Sequence, residues 1–240
     1  MQTTSDTYKS LLHNSLAEKE IKAVIAGTTY GHDKIVSARV SGALFESFGI
    51  GGAAARELDI EIVPQGVIPR QAKIQLYLRM VLRDDTGAVT QYSEWIPKGE
   101  FFFSTRSTDK ATGWMTVTAF DAMLKAEEDW INESYSETNF PMAASAAVAD
   151  IAQRMGVEVD SRTSLSTAFT VAYPVGDSGA KTMREVLAEI AVANAGNWII
   201  TDAGKLLLVP LNSIPAETNY LVTDYGYAIT FGGTRILING

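Results

Sequence analysis

The chain contains no cysteine and only two histidines in 240 residues. The first absence excludes a disulfide framework, a zinc ribbon and a thiol nucleophile. The second leaves His13 and His32 with no second His or Glu at ligand spacing, so no metal-binding pattern exists. Basic residues are few and scattered. Lys and Arg number 20 against 28 Asp and Glu, a formal net charge of −8. A protein that grips nucleic acid must displace counterions from phosphates, and this chain lacks the basic runs to do so; specific nucleic-acid binding is not expected. No run of eighteen apolar residues occurs, so no membrane insertion is expected. The opening Met1-Gln2-Thr3-Thr4-Ser5-Asp6 has neither a basic start nor an apolar centre, so no secretory signal is read there. With no cysteine either, the expected place of synthesis and folding is the cytoplasm.

What the chain does have is alternation. Ala72, Ile74, Leu76, Leu78, Met80 and Leu82 alternate with Lys73, Gln75, Tyr77, Arg79, Val81 and Arg83, one face apolar and the other mostly polar. Asp84-Asp85-Thr86-Gly87 then forms a turn, and Val89–Ile96 returns as the hairpin partner. Leu58, Ile60 and Ile62 alternate with Asp59 and Glu61, and Ile21, Ala23 and Ile25 alternate before Gly27. Ile35–Val40, Phe101 with Phe103, and Met115, Val117 and Ala119 complete a set of short strands. Strands at this spacing, separated by Gly and Pro, predict an antiparallel sheet that curls or closes as a barrel.

From Phe120 the period changes. Phe120, Met123, Leu124, Glu127, Trp130 and Ile131 fall at helical spacing. A second helix is expected from Pro141 to Met155, with Gly156 as its stop. A third opens at Thr182 with Glu185 as a capping box, carries Met183, Val186, Leu187 and Ile190 inward, and is expected to end at Gly196. A hairpin follows: Trp198–Thr201, the turn Asp202-Ala203-Gly204, and Leu206–Val209. Beyond Pro215 the strand pattern returns at Tyr220–Val222, Tyr227–Phe231 and Arg235–Ile238. Three short strands bury little by themselves. The fold class expected is α+β: residues 1–118 an antiparallel β-barrel-like tube domain, 119–210 an α+β domain with three helices and a hairpin, and 211–240 strands that begin or complete a second β domain in a longer protein.

Chemistry is sparse. Gly49-Ile50-Gly51-Gly52 looks like a phosphate loop, but a strand follows and no P-loop Lys-Ser or Lys-Thr, so a flexible turn is the better reading. Asp84-Asp85 sits in a hairpin tip, and Glu127-Glu128-Asp129 on the wet face of a helix; neither suits a glycosidase pair, which needs one carboxyl in an apolar pocket. No Gly-x-Ser-x-Gly elbow is present. Trp95, Trp114, Trp130 and Trp198 are read as core residues rather than sugar platforms. No catalytic, cofactor-binding or metal residue is assigned, and no enzymatic activity is expected.

A family resemblance lies in the order of features. Ile35-Val36-Ser37-Ala38-Arg39-Val40-Ser41-Gly42-Ala43-Leu44-Phe45-Glu46, Phe48-Gly49-Ile50-Gly51 and the Leu58–Ile62 strand resemble the opening of prophage tail proteins. So does Ile68-Pro69-Arg70-Gln71-Ala72-Lys73-Ile74. With Ser93-Glu94-Trp95-Ile96-Pro97-Lys98-Gly99-Glu100-Phe101-Phe102 and Val117-Thr118-Ala119-Phe120-Asp121-Ala122-Met123-Leu124-Lys125-Ala126-Glu127, the series is similar to baseplate hub and tail-tip proteins of phages and phage-like particles infecting Gram-positive bacteria. It is best over about residues 20 to 130. The resemblance implies a homotrimer whose subunits each give two related β-barrel-like tube domains, making a pseudo-sixfold ring. That ring would join the hexameric tail tube to the threefold spike or tip. The implied partners are sister subunits, tail-tube, spike and tape-measure proteins, with DNA passing through the lumen, and the implied location is the virion tail or baseplate. The polar face of Lys73, Gln75, Arg79 and Arg83 is expected to line the lumen or a polar contact, and this chain alone to be a monomer or weak oligomer. The alternative is a tail-associated cell-wall lytic enzyme or carbohydrate-binding module.

Overall fold

The computed structural model describes residues 4–42, 49–131, 135–176 and 179–211, and beyond them only a short backbone ladder within 230–235. Helix α1 (Asp6–Leu12) is capped by Ser5, whose hydroxyl accepts the Tyr8 N–H. The sheet follows: β1 (Glu18–Ile25), β2 (Thr28–Tyr30), β3 (Ile35–Ser41), β4 (Glu57–Ile62), β5 (Lys73–Arg83), β6 (Val89–Tyr92), β7 (Ile96–Thr108) and β8 (Met115–Phe120). Every pairing in it is antiparallel, in the order β2-β1-β5-β7-β8-β4-β3, with β6 continuing the β5 hairpin.

Local sequence explains much of this sheet. Ala26 and Gly27, at φ 49° and 86°, make the two-residue turn between β1 and β2. Left-handed backbone at both positions matches the twist of the flanking strands. At the β5–β6 turn, the Asp84 carboxylate accepts the N–H groups of Thr86 and Ala88, and Gly87 takes the positive φ. The alternating residues of β4 do what period two predicts: Leu58, Ile60 and Ile62 are buried and pack with Ile25, Ile74, Phe101 and Val117 into one core.

The sheet is strongly curled, and β1 and β3 approach within 8 Å at Cα. It does not close into a barrel: β2 and β3 end the path and do not pair with each other. Gly31 and the 3-10 turn His32–Lys34 join them.

The polar face of β5 also differs from expectation. Leu78 and Leu82 are half-buried, whereas Val81, on the opposite face, is fully buried. Val81 lies across from Glu18 on β1 and Tyr92 on β6 and between Arg79 and Arg83, whose long stems can cover it. Charge there is neutralised within the chain, by Arg79 on Glu20 and by Arg83 on Glu18 and Glu20. Lys22 stacks over Tyr77 and Trp95, and Arg79 over Trp95 and Tyr92.

After β8 the chain builds a second layer. It contains β9 (Met142–Ala143), α2 (Ala144–Met155), β10 (Thr170–Val171), β11 (Val175–Gly176), β12 (Gly179–Ala180), α3 (Met183–Ala193), β13 (Gly196–Ile200) and β14 (Leu206–Pro210). Its core gathers Trp130, Ile151, Met155, Leu187, Ile190 and Trp198. The capping box of α3 is present, with Thr182 and Glu185 satisfying each other's backbone N–H. Gly156 ends α2 at φ 70°. Three expectations need correction. The helix expected over Phe120–Ile131 is a 3-10 turn, Ala122–Glu127, capped by Asp121. The chain then straightens, and Asp129 bridges to Thr182. Helix α2 begins at Ala144, because Met142 and Ala143 are taken into a ladder with Thr170 and Val171. Finally, α3 ends at Ala193, and Gly196 is already strand. A Cβ on Gly196 would lie 2.8 Å from the Val209 carbonyl, so glycine serves the close approach of β14 there, and not the helix stop.

Of the strands expected beyond Pro215, Tyr220–Val222 lies outside the described residues, as do parts of the other two. Two-residue ladders β15 (Thr230–Phe231) and β16 (Thr234–Arg235) pair with each other.

Candidate functional site

Two of the polar side chains that the fold buries, Asp121 and Asn197, lie where the curled sheet joins the helical layer. Arg56, just before β4, and Asp121, just after β8, are brought side by side because those strands are neighbours. Asp121 is fully buried; its carboxylate accepts the Arg56 N–H at 3.1 Å, the Arg56 Nε at 3.3 Å and the Met123 N–H at 3.1 Å. The far end of the guanidinium reaches the β13–β14 turn, donating from Nη1 to Asp202 and from Nη2 to the Thr201 carbonyl at 3.2 Å. One arginine thereby ties the start of β4, the end of β8 and the tip of the last hairpin. Gly99, at φ 131°, leaves room beneath it, since a Cβ would meet the Phe101 ring at 2.8 Å and Arg56 Nη2 at 3.0 Å. Burial pushes the Asp121 carboxyl above its usual range, and the Arg56 and Met123 donors oppose that rise.

A second stitch joins the same layers. Gly49–Gly52 lies along β13: Gly51 donates to the Gly196 carbonyl at 2.9 Å, Trp198 to the Gly52 carbonyl at 2.8 Å, and Asn197 donates from Nδ2 to the Gly49 carbonyl at 3.1 Å. Asn197 is fully buried, and its Oδ1 accepts the Gly52 N–H. These glycines therefore hold no phosphate-loop geometry and are no free turn; their backbone is occupied by β13.

Open depressions occur among the described residues. One, of about 230 Å³, lies between the β5–β7 bulge and the hairpin tip and is lined by Gln75, Tyr77, Glu100 and Asp202 among others. Its carboxylates are already engaged, Glu100 with Lys73 and Gln75, Asp202 with Arg56. The other, of about 520 Å³, is lined by Glu128, Asp129, Asp150, Gln153, Arg154 and Met183. There Asp150 accepts the Trp130 indole N–H at 2.7 Å and pairs with Arg154 at 3.0 Å. Neither is an enclosed pocket that would hold a carboxyl dry. No group of three or more His, Cys, Asp or Glu side chains placed to hold a metal occurs among the described residues.

The other residues weighed from the sequence fall as follows. His13 and His32 are exposed. Asp84 and Asp85 are exposed in the hairpin turn, and hydrogen bonds from Thr86 and Ala88 lower the Asp84 carboxyl. Glu127, Glu128 and Asp129 are exposed, but on the 3-10 turn and the straight segment after it. Trp130 and Trp198 are core residues, and the Trp198 indole donates to the Leu187 carbonyl at 2.8 Å. Trp95 is half-buried, and Trp114 is 37% exposed and outside both cores. Arg56, Asp121, Asn197 and Asp202 had no motif to announce them. The one legible signal was Asp121 as a helix-cap type directly after a strand.

No family model matches this chain, and no curated protein matches it. Solved structures do resemble it. The 43 kDa tail protein of prophage MuSo2 from Shewanella oneidensis aligns over 80% of this chain and 56% of its own length, with a TM-score of 0.51 and 11% identity. The tail protein from Neisseria meningitidis MC58 aligns over 79% of this chain and 50% of its own, with a TM-score of 0.49 and 10% identity. This chain thus spans about half the length of either protein. At 11% identity the MuSo2 likeness is one of fold.

Proposed function

We propose that the chain is a structural subunit of a phage-like tail, set in a hub ring at the tip of the tail tube and connecting tube to spike or tip. The observation that carries this reading is the shared arrangement, a curled antiparallel sheet followed by a helical layer, with the MuSo2 tail protein over 80% of the chain. An open sheet suits it. A sheet whose ends do not pair within one subunit can complete a tube with sister subunits, in a homotrimer of the longer protein. On this reading residues 1–118 form the tube-type domain, 119–210 decorate it, and 211–240 belong to a second β domain. The Arg56 junction and the Gly49–Gly52 stitch then hold the decoration rigidly on the wall. A net charge of −8 suits a passage that DNA and a tape-measure protein slide through. The role is non-enzymatic, and its place is the virion tail, assembled in the host cytoplasm.

The test is immunogold labelling of particles released by the bacterium that encodes the chain, with mass spectrometry of the purified particles. Gold at one end of the tail, at the tube tip, is the expected outcome; absence of the chain from intact particles overturns the reading. A zymogram of the purified chain on Gram-positive cell walls tests the lytic alternative directly.

A further inference from the structure

Helix α1 is attached to the sheet by little. It has seven residues, fewer than the roughly 12–15 that an isolated helix needs to hold in water, so it stands through its contacts. It lies against β5 and β6, yet of its residues Leu11 alone is buried, at 2% exposure and outside the two cores. At its start, the Glu94 carboxylate, between β6 and β7, accepts the Ser5 N–H at 2.7 Å and the Ser5 hydroxyl at 2.5 Å. Ser5 and Glu94 are both exposed. Residues 13–16, which lead from α1 to β1, are exposed too, and their hydrogen bonds stay within the turn. Asn14 donates to the Leu11 carbonyl, Leu16 to the Asn14 side chain and Ala17 to the Asn14 carbonyl.

We propose that α1 is a hinged flap on the sheet: it swings open about residues 13–16 as one piece while the strands stay folded, with Leu11 as its seat and the Ser5–Glu94 pair as its latch. Opening breaks the two latch bonds and bares one leucine, and it leaves every strand pairing intact. Strand β5 beneath it is different. It is paired with β1 on one edge and with β7 and β6 on the other, and it opens only with the sheet. Segments with few buried contacts open at far lower free energy than the elements they rest on. Ser5 works in both directions, accepting from Tyr8 and donating to Glu94, so the latch also fixes the helix cap. Once open, the flap presents Leu11 beside Leu12 and Leu16, which are already 50% and 75% exposed. This inference does not rest on the tail reading, and either can fail without the other.

Native-state hydrogen exchange of the intact chain at pH 7 tests the flap. The N–H groups of Lys9–Leu12 are expected to be protected at least about a hundredfold less than those of Leu76 and Leu78 in β5. Their exchange should also hold steady as urea is raised below the unfolding transition, the mark of a local opening that exposes little surface. Glu94→Ala removes an exposed side chain and is expected to speed exchange in α1 by about threefold to tenfold. Protection in α1 as strong as at Leu76 and Leu78, or exchange there that climbs with urea as theirs does, overturns the proposal. So does a Glu94→Ala chain whose α1 exchanges at the wild-type rate, because the latch would then hold nothing.

Discussion

Replacing Arg56 by Met removes a guanidinium from a carboxylate that has no access to water, since the Asp121 side chain is 0% exposed. Stripping one partner from a buried pair costs about 3–5 kcal/mol, because the remaining charge is left uncompensated. The lower end applies here. Asp121 keeps the N–H groups of residue 56 and Met123, and the Met side chain refills the space over Phe101. The bond to Asp202 adds little, because that carboxylate is 33% exposed and returns to water. About 3 kcal/mol at pH 7 is therefore expected in urea unfolding followed by the fluorescence of the buried Trp130 and Trp198. The loss should depend on pH in a stated direction. Burial raises the Asp121 carboxyl in the folded state. Such a group contributes its full stability below its unfolded pKa and loses it as pH rises through the folded one. Without Arg56 that rise grows, so the variant is expected to be closest to wild type near pH 4 and furthest from it at pH 7. Combining Arg56→Met with Asp121→Asn should recover part of the loss, because no buried charge remains. A loss below 1 kcal/mol at pH 7, a loss independent of pH, or an Asp202→Asn variant as damaging as Arg56→Met would refute the reasoning.

Two further outcomes are expected. Gly196→Ala should cost more than 2 kcal/mol, a value reached through backbone displacement, because the added Cβ would stand 2.8 Å from the Val209 carbonyl; Gly27→Ala, whose Cβ meets nothing within 4 Å, should cost only about 1 kcal/mol of left-handed strain, and denaturant midpoints compare the two. Acid should destabilise the protein below about pH 4, as Asp160, held well below the usual carboxylate range by Arg162, and Asp84 and Asp109, lowered by their turn hydrogen bonds, take up protons. Those depressed groups contribute stability above their unfolded pKa and lose it as pH falls. Thermal midpoints from pH 7 to pH 2 should drop along that course, and less steeply for Asp160→Asn.

Local rules determined the elements whose cause is local. Period two placed β4 and β5, Asp84–Gly87 placed the turn after β5, and Thr182 with Glu185 placed the start of α3. Each depends on residues within a few positions of one another, so the order of the chain contains the physics. The α+β class and the antiparallel sheet followed from those elements. Closure did not, because whether β2 meets β3 depends on the curl accumulated over seven strands. The run Phe120–Ile131 carries helical spacing, yet the Asp129 bridge to Thr182, more than fifty residues away, takes its second half out of a helix. Gly196 looked like a stop until β14 lay against it, and Gly49–Gly52 looked free until β13 took its hydrogen bonds. Arg56 and Asp121 are 65 positions apart and match no motif. Only the pairing of β4 with β8 makes them neighbours, and only in the folded chain does Asp121 lose its water. Tertiary structure alone decides such a pair, because its energy comes from the partner and the burial, and neither is written in the residues beside it.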